Sequence, residues 1–196
     1  MFIGFAVFRA ALDFALRLGY NEGNPDHKNR RRALYITSLC YVERDGNYLM
    51  LHRVKKEKDR NRDKWIGIGG SFQEDESPED CVRREAMEET GLTLVTPVLR
   101  AIVTFVVEGG IGEQMFLFTC DDFTGTLTDC DEGQLEWIPK EDLYGLELWE
   151  GDRIFLEKIA APCPFFTLKL IYDRDGHLLF AEENGTRVII DRRTQA

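Results

Sequence analysis

The sequence has no pair of cysteines in C-x-x-C spacing. Its five cysteines, Cys40, Cys81, Cys120, Cys130 and Cys163, are odd in number and scattered. That argues against a disulfide framework or a zinc site and fits a reducing, cytoplasmic setting. An excess of positive charge is missing too: 25 Lys and Arg stand against 35 Asp and Glu, a formal net charge of −10. Such a chain is a poor partner for polymeric nucleic acid or an anionic membrane surface, whereas a small anionic substrate can still be held through a metal. There is no internal repeat and no low-complexity tract. An uninterrupted apolar run of membrane-spanning length is also lacking. The stretch MFIGFAVFRAALDFALRLGY comes nearest, but Arg9, Asp13 and Arg17 break it every four residues. A span needs about 20 apolar residues with few or no charges. A signal peptide needs a basic start, an apolar run and a small-residue cleavage site, in that order. The spacing instead predicts an amphipathic helix, packed on the domain or on a second copy of the chain in a homodimer. A helix lying on a membrane surface is the alternative, and integral membrane association is not expected.

What is present suits one domain with a full core: 196 residues, 43% hydrophobic and 31% charged. Residues 1–32 read as the N-terminal helix followed by a polar linker. Two apolar runs flank Asp45-Gly46, a strong hairpin signal. KKEKDRNRDK is a charged loop, and WIGIGGSF fits one strand ending in a tight turn at Gly69-Gly70. VLRAIVTFVV, EQMFLFTC and LEWIP are strand candidates, with short helices expected after Pro139 and around Trp149 to Ile159. The tail reads as three strands joined by Asp-Gly and Asn-Gly turns. The reading divides the chain into 1–32, a main domain 33–172 and a C-terminal β-hairpin extension 173–196. Strands and helices interleave around one core, which predicts an α/β sandwich.

The most informative segment is GGSFQEDESPEDCVRREAMEETGL. Ser77 is a natural N-cap, Pro78 suits the first helical position, Asp80 completes a capping box and Gly91 is a natural stop. The helix is therefore expected over 78–90, and Glu85, Glu88 and Glu89 share one of its faces. Like charges so placed repel, and no lysine intervenes. An exposed acidic face is the plain alternative, but solvated helices usually mix signs. Oxygen ligands at this density suit a hard cation such as Mg2+ or Mn2+. Glycines at 69 and 70 let the backbone come close to such an ion.

Gly70, Glu76 and then Arg84-Glu85-Ala86-Met87-Glu88-Glu89-Thr90-Gly91-Leu92 match the pattern G-x5-E-x7-R-E-U-x-E-E-x-G-U, U being apolar, without a gap. By this box the chain resembles the Nudix hydrolases. The resemblance implies the Nudix fold, an α/β/α sandwich with a mixed β-sheet, and hydrolysis of a nucleoside diphosphate linked to another group. It implies metal ligation by Glu85, Glu88, Glu89 and the Gly69 carbonyl, with Arg84 and Glu76 orienting the acidic helix. Glu85 is the first candidate for the base that activates water and Glu132 the second.

Over roughly Leu34 to Tyr172 the chain also resembles the branch that hydrolyses oxidised purine nucleoside triphosphates, the 8-oxo-dGTP diphosphatases. It does so through KWIGIGG, DCDEG and LWEGD. The resemblance implies a further metal-site glutamate at Glu132, a tryptophan stacking on the purine at Trp149 and an aspartate on its edge at Asp152. As a lone tryptophan, Trp149 would ordinarily be core; the acidic residues beside it turn the reading towards a pocket rim. Lys55 lies where that branch has a pocket lysine, within a charged loop whose plain reading is solvation. Ile66 and Ser71 depart from the pattern, replacing an asparagine that reads the purine and a lysine. The marker stretches of NADH, ADP-ribose and diadenosine polyphosphate hydrolases are absent. The expected activity is thus Mg2+-dependent cleavage of purine triphosphates such as 8-oxo-dGTP to monophosphate and pyrophosphate. The alternatives are another nucleotide substrate, or a nucleotide sensor that does not hydrolyse.

Overall fold

The computed structural model describes residues 34–55 and 61–189. The chain divides into two units, 1–32 and 33–196, and every described element belongs to the second. The helix and linker expected over 1–32 lie outside the described residues.

The strands are β1 (Tyr35–Arg44), β2 (Asn47–His52), β3 (Trp65–Ile66), β4 (Ile68–Ser71), β5 (Leu92–Leu94), β6 (Val98–Val107), β7 (Glu113–Cys120), β8 (Phe123–Gly125), β9 (Gln134–Pro139), β10 (Phe166–Tyr172), β11 (Leu178–Glu183) and β12 (Thr186–Ile189). The helices are α1 (Pro78–Thr90) and α2 (Asp152–Ile159), with a 3-10 turn at Leu143–Gly145. Ten strands form one mixed sheet in the order β12-β11-β10-β6-β7-β1-β2-β3, with β4 also on β1 and β9 on β2. β1 runs parallel to β7, and β6 parallel to β10; the other pairings are antiparallel. β5 and β8 make a separate small ribbon.

The Asp45-Gly46 turn closes the first hairpin with φ of 51° and 78°, and Asn184-Gly185 closes the last with 48° and 78°. Two successive positive φ values match the right-handed twist of the flanking strands, which is why these dipeptides sit there. The tail strands add to the same sheet through β10.

Each face of the sheet carries one helix. α1 sits over Cys40, Val42, Leu49, Leu51, Ile68 and Phe118, contributing Val82 and Ala86 to that core. α2 sits over Leu39, Tyr41, Met50, Val103 and Leu117, contributing Phe155, Leu156 and Ile159. Alternate residues of β1 therefore serve opposite layers, as strand pleating requires.

One expectation fails locally. WIGIGGSF is not a strand ending in a turn. It forms two short strands parted at Gly67, and Gly69 and Gly70 lie inside β4, paired with Leu39 and Ser38. Glycine is required for close approach: a Cβ at 69 would run into the Ser38 carbonyl, and one at 67 would come within 2.8 Å of the Cys40 carbonyl.

Candidate active site

α1 begins as its sequence demands. The Ser77 hydroxyl oxygen accepts from the Asp80 N–H at 3.1 Å, and the Asp80 carboxylate accepts from the Ser77 N–H at 3.1 Å. Gly91 ends the helix at φ 74°, its N–H donating to the Met87 carbonyl at 2.9 Å. A Cβ at Gly91 would come within 2.9 Å of the Thr126 carbonyl, so this position excludes side chains both by conformation and by space.

The helix presents Glu85 and Glu89 towards β4. Glu85 lies against Gly70 so closely that a Cβ there would stand 2.5–2.6 Å from its carboxyl atoms. Glu89 is buried at 6% exposure and accepts from the Gly69 N–H at 3.0 Å. Glu88 is exposed.

The acidic face is not bare of cations, contrary to expectation. Arg84 spans it. Its guanidinium donates to both oxygens of Glu76 at 2.6 and 3.0 Å, to Glu85 at 2.6 Å, to Glu88 at 3.3 Å and to the Ser71 carbonyl at 3.0 Å. The spacing rule that groups the glutamates also brings Arg84 within reach of Glu88, one helical turn on. The Arg84 hydrogen bonds hold the Glu76 carboxyl below the usual carboxylate range, and Glu76 in turn accepts from the Gln73 N–H at 2.7 Å.

Glu132 comes from the loop before β9. It is ion-paired with Arg53, just past β2. β2–β9 pairing places His52 opposite Gln134, and Gly133 passes so close to the His52 carbonyl that no side chain fits there. Arg53 is a residue that sequence reasoning missed: no local spacing links 53 to 132, and only strand pairing does. Lys55 donates to the Cys130 carbonyl at 2.6 Å, tying its own loop to the one that carries Glu132.

Charge makes these groups one system. Burial pushes Glu89 well up from the ordinary carboxylate range; Glu132 and Glu85 add to the rise, while the Gly69 N–H and Arg53 oppose it. Glu85 is raised by burial, opposed by Arg84, with Glu88 and Glu132 adding to the rise. Carboxyls held towards neutrality by burial and by one another are a donor set that a hard divalent cation fits, because the cation relieves both causes. Among the described residues no three such side chains are gathered tightly enough to hold a metal as they stand; Arg84 and Arg53 answer the charge instead.

A second cluster lies on the α2 face. Trp149 is half-buried, with its ring edge-on to Phe105 (5.8 Å) and Tyr172 (5.5 Å), and its indole N–H donating to Asn61 at 2.9 Å. Lys64 stands 5.6 Å over the ring. Asp152, the first residue of α2, is buried at 7% exposure. Burial pushes its carboxyl up to about 8; Glu113 adds to the rise and Lys64 opposes it. Ile66 does not face this cluster as a reader of bases. It is half-buried and packs into the core beneath α1. Phe105, Lys64 and Glu113 went unnoticed in the sequence because each comes from a different element, brought in by the sheet order.

A capped acidic helix thus lies over a glycine-bearing strand of a mixed sheet. Residues 34–159 match the NUDIX domain, and the chain belongs to the Nudix hydrolase family. It is 32% identical over 123 residues to an uncharacterized Nudix hydrolase, YvcI, of Bacillus subtilis, covering 60% of this chain and 74% of that one. It is 31% identical over 90 residues to an oxidized purine nucleoside triphosphate hydrolase of Mus musculus, covering 45% of this chain and 58% of that one. Among solved structures, a MutT protein from Bacillus halodurans superposes with a TM-score of 0.69 at 27% identity, over 77% of this chain and 98% of that one. The chain is thus a MutT-like Nudix hydrolase. No helix among the described residues is long and apolar enough to cross a membrane.

Proposed function

We propose that the protein is a Mg2+-dependent pyrophosphohydrolase of purine nucleoside triphosphates, with oxidised purines such as 8-oxo-dGTP as its leading substrates and a monophosphate and pyrophosphate as products. The observation that carries the hydrolytic reading is the packing of Glu85 against Gly70 and the hydrogen bond of Glu89 to the Gly69 N–H, with the Glu132 charge adding to the rise of both carboxyls. In this reading Glu85, Glu88, Glu89, Glu132 and the Gly69 carbonyl hold the cation, with Mn2+ as a substitute. A cation held there would neutralise phosphate oxygens and make the anhydride more electrophilic. Glu85 takes the proton of the attacking water, with Glu132 as the second candidate. Arg84 and Glu76 keep Glu85 aimed. Trp149 offers its face to the purine, and Asp152 bonds the purine edge.

The substrate class is supported by two relatives named as oxidized purine nucleoside triphosphate hydrolases, from Mus musculus and Danio rerio. It is also supported by the pairing of a half-buried tryptophan with a buried, neutral acid. Ile66, apolar and packed in the core, favours looser base choice than a side-chain reader would give, so another nucleotide is the second reading. The free thiols at Cys40, Cys81, Cys120, Cys130 and Cys163 support a cytoplasmic setting.

The test is pyrophosphate release across a nucleotide panel that includes oxidised purines, with Mg2+ and with Mn2+. The expected result is metal-dependent release, fastest with an oxidised purine triphosphate. Equal rates on pyrimidines would remove the purine reading, and no release from any nucleotide would leave a binding protein.

A further inference from the structure

Three contacts fix where the Trp149 ring sits. Phe105 and Tyr172 meet it at 75° and 76°, and a Cβ on Gly176, in the turn before β11, would stand 3.1 Å from its Cζ3. Apolar contacts of this kind hold a ring in place but tolerate a range of angles. The hydrogen bond from the indole N–H to Asn61 Oδ1, at 2.9 Å, is directional. An indole nitrogen only donates, so the Asn61 amide must present its carbonyl oxygen there. An indole turned over about its Cβ–Cγ bond would carry the N–H away from that oxygen.

Asn61 is itself anchored. Its main-chain carbonyl accepts from the Lys64 N–H at 2.9 Å. The Asp63 N–H donates to the Arg53 carbonyl at 2.9 Å, and the Arg53 N–H to the Lys64 carbonyl at 3.0 Å. Asp63 takes φ 62° within this turn. The Arg53 guanidinium is in turn the ion-pair partner of Glu132. Lys64 stands 5.6 Å over the Trp149 ring and donates to the Leu148 carbonyl at 3.3 Å. One turn therefore joins, through main-chain bonds, the residue paired with Glu132 to the residue bonded to Trp149.

We propose that Asn61 is a positioning residue for Trp149, its side-chain oxygen fixing the indole face on which a bound purine stacks. This rests on the proposed stacking of the base on Trp149. Without Asn61, only the molecules with the ring correctly turned bind the base, and apparent affinity falls by that fraction. Chemistry in the bound complex does not change, so the loss falls on KM and not on kcat.

The test compares Asn61→Ala with Asn61→Asp in the full chain. Alanine removes the acceptor and leaves the main-chain bonds of the turn, so the fold is kept. Aspartate restores an acceptor. The Trp149 indole signal is read by 1H–15N NMR without substrate, beside those of Trp65 and Trp137, and is identified by Trp149→Phe. It moves upfield in Asn61→Ala, as loss of an acceptor requires, and lies at or downfield of its wild-type position in Asn61→Asp. An unmoved signal in Asn61→Ala would overturn the proposal. In steady-state kinetics, Asn61→Ala raises KM for the preferred purine triphosphate about three- to tenfold, with kcat within about twofold. KM for pyrimidine triphosphates rises less. The charge of aspartate weakens every nucleotide alike, so its rescue is read in the purine-to-pyrimidine ratio, which returns to the wild-type value. A shifted signal with an unchanged ratio in Asn61→Ala would reduce Asn61 to a structural residue. A wild type that turns over no purine triphosphate would overturn the proposed function and the positioning role with it. A normal wild type beside an unaffected Asn61→Ala would overturn the role of Asn61 alone.

Discussion

Glu89 on α1 and Asp152 at the start of α2 are both buried acids, at 6% and 7% exposure. Burial is the first cause of a raised pKa in each. The second cause separates them. Glu89 faces two further carboxyls, Glu132 and Glu85, and so belongs to a group whose members oppose one another's ionisation. Asp152 faces one acid, Glu113, and one base, Lys64, and keeps its proton near neutral pH. In the proposed function the first arrangement would bind positive charge, and the second would offer an O–H to a ligand. Two carboxyls of similar burial are thus given opposite chemistry by their neighbours.

The contrast is broken most severely at Glu89. Glu89→Gln keeps the shape and the acceptor for the Gly69 N–H but removes a ligand charge, so turnover falls by about a hundredfold or more. The melting temperature holds or rises, because a repelled buried charge has gone. Glu88→Gln loses activity similarly, without the gain in stability, since Glu88 is exposed and pairs with Arg84 at 3.3 Å. Steady-state kinetics beside thermal melts check both; near-wild-type turnover in the pair would end the metal assignment.

Trp149→Ala tests the other side. Loss of base stacking raises KM roughly ten- to a hundredfold, more for purines than for pyrimidines. The melting temperature also drops, because the ring packs on Phe105 and Tyr172. A drop in melting with no change in base preference would make Trp149 core alone.

A smaller effect reads Asp152 directly. Its folded pKa of about 8 lies above the ordinary 3.8, so the folded state holds a proton that the unfolded chain releases. That stabilisation is complete below about pH 3.8 and is lost as pH rises to about 8. Wild type therefore loses melting temperature relative to Asp152→Asn as pH rises from 5 to about 8. Parallel melting curves would show that Asp152 is ionised in the fold.

The smallest effect is expected from a chain beginning near Arg32. The family match begins at residue 34, so kcat is retained and both carboxyls keep their titration. A folded but inactive truncation would tie residues 1–31 to the site.

The two regions also differ in how legible they are. α1 can be read to its ends, because Ser77, Asp80 and Gly91 act within a few residues of the backbone groups they satisfy. The grouping of Glu85, Glu88 and Glu89 follows from helical pitch alone. Arg84 obeys the same pitch, and a search for lysines alone passes over it. Gly69 and Gly70 mislead: glycine marks turns and close approaches equally, and only the β1 pairing decides which. Arg53 against Glu132, and Lys64 and Glu113 around Asp152, depend on which strands become neighbours, information that no local pattern holds. The β5–β8 ribbon escapes sequence reading because three-residue strands carry too little periodicity to register.

β1 is a wall shared by both layers. Ser38 donates to Cys81 on α1 at 3.0 Å, and Cys40 and Val42 join the core on that side. Leu39 and Tyr41 join the core under α2, and Thr37 bonds Glu113. Substitutions along this strand are therefore sorted by parity. Odd positions bear on the layer under α2, while even positions bear on the layer under α1. A change at 37, 39 or 41 is therefore felt first under α2, and one slipped by a single residue is felt first under α1.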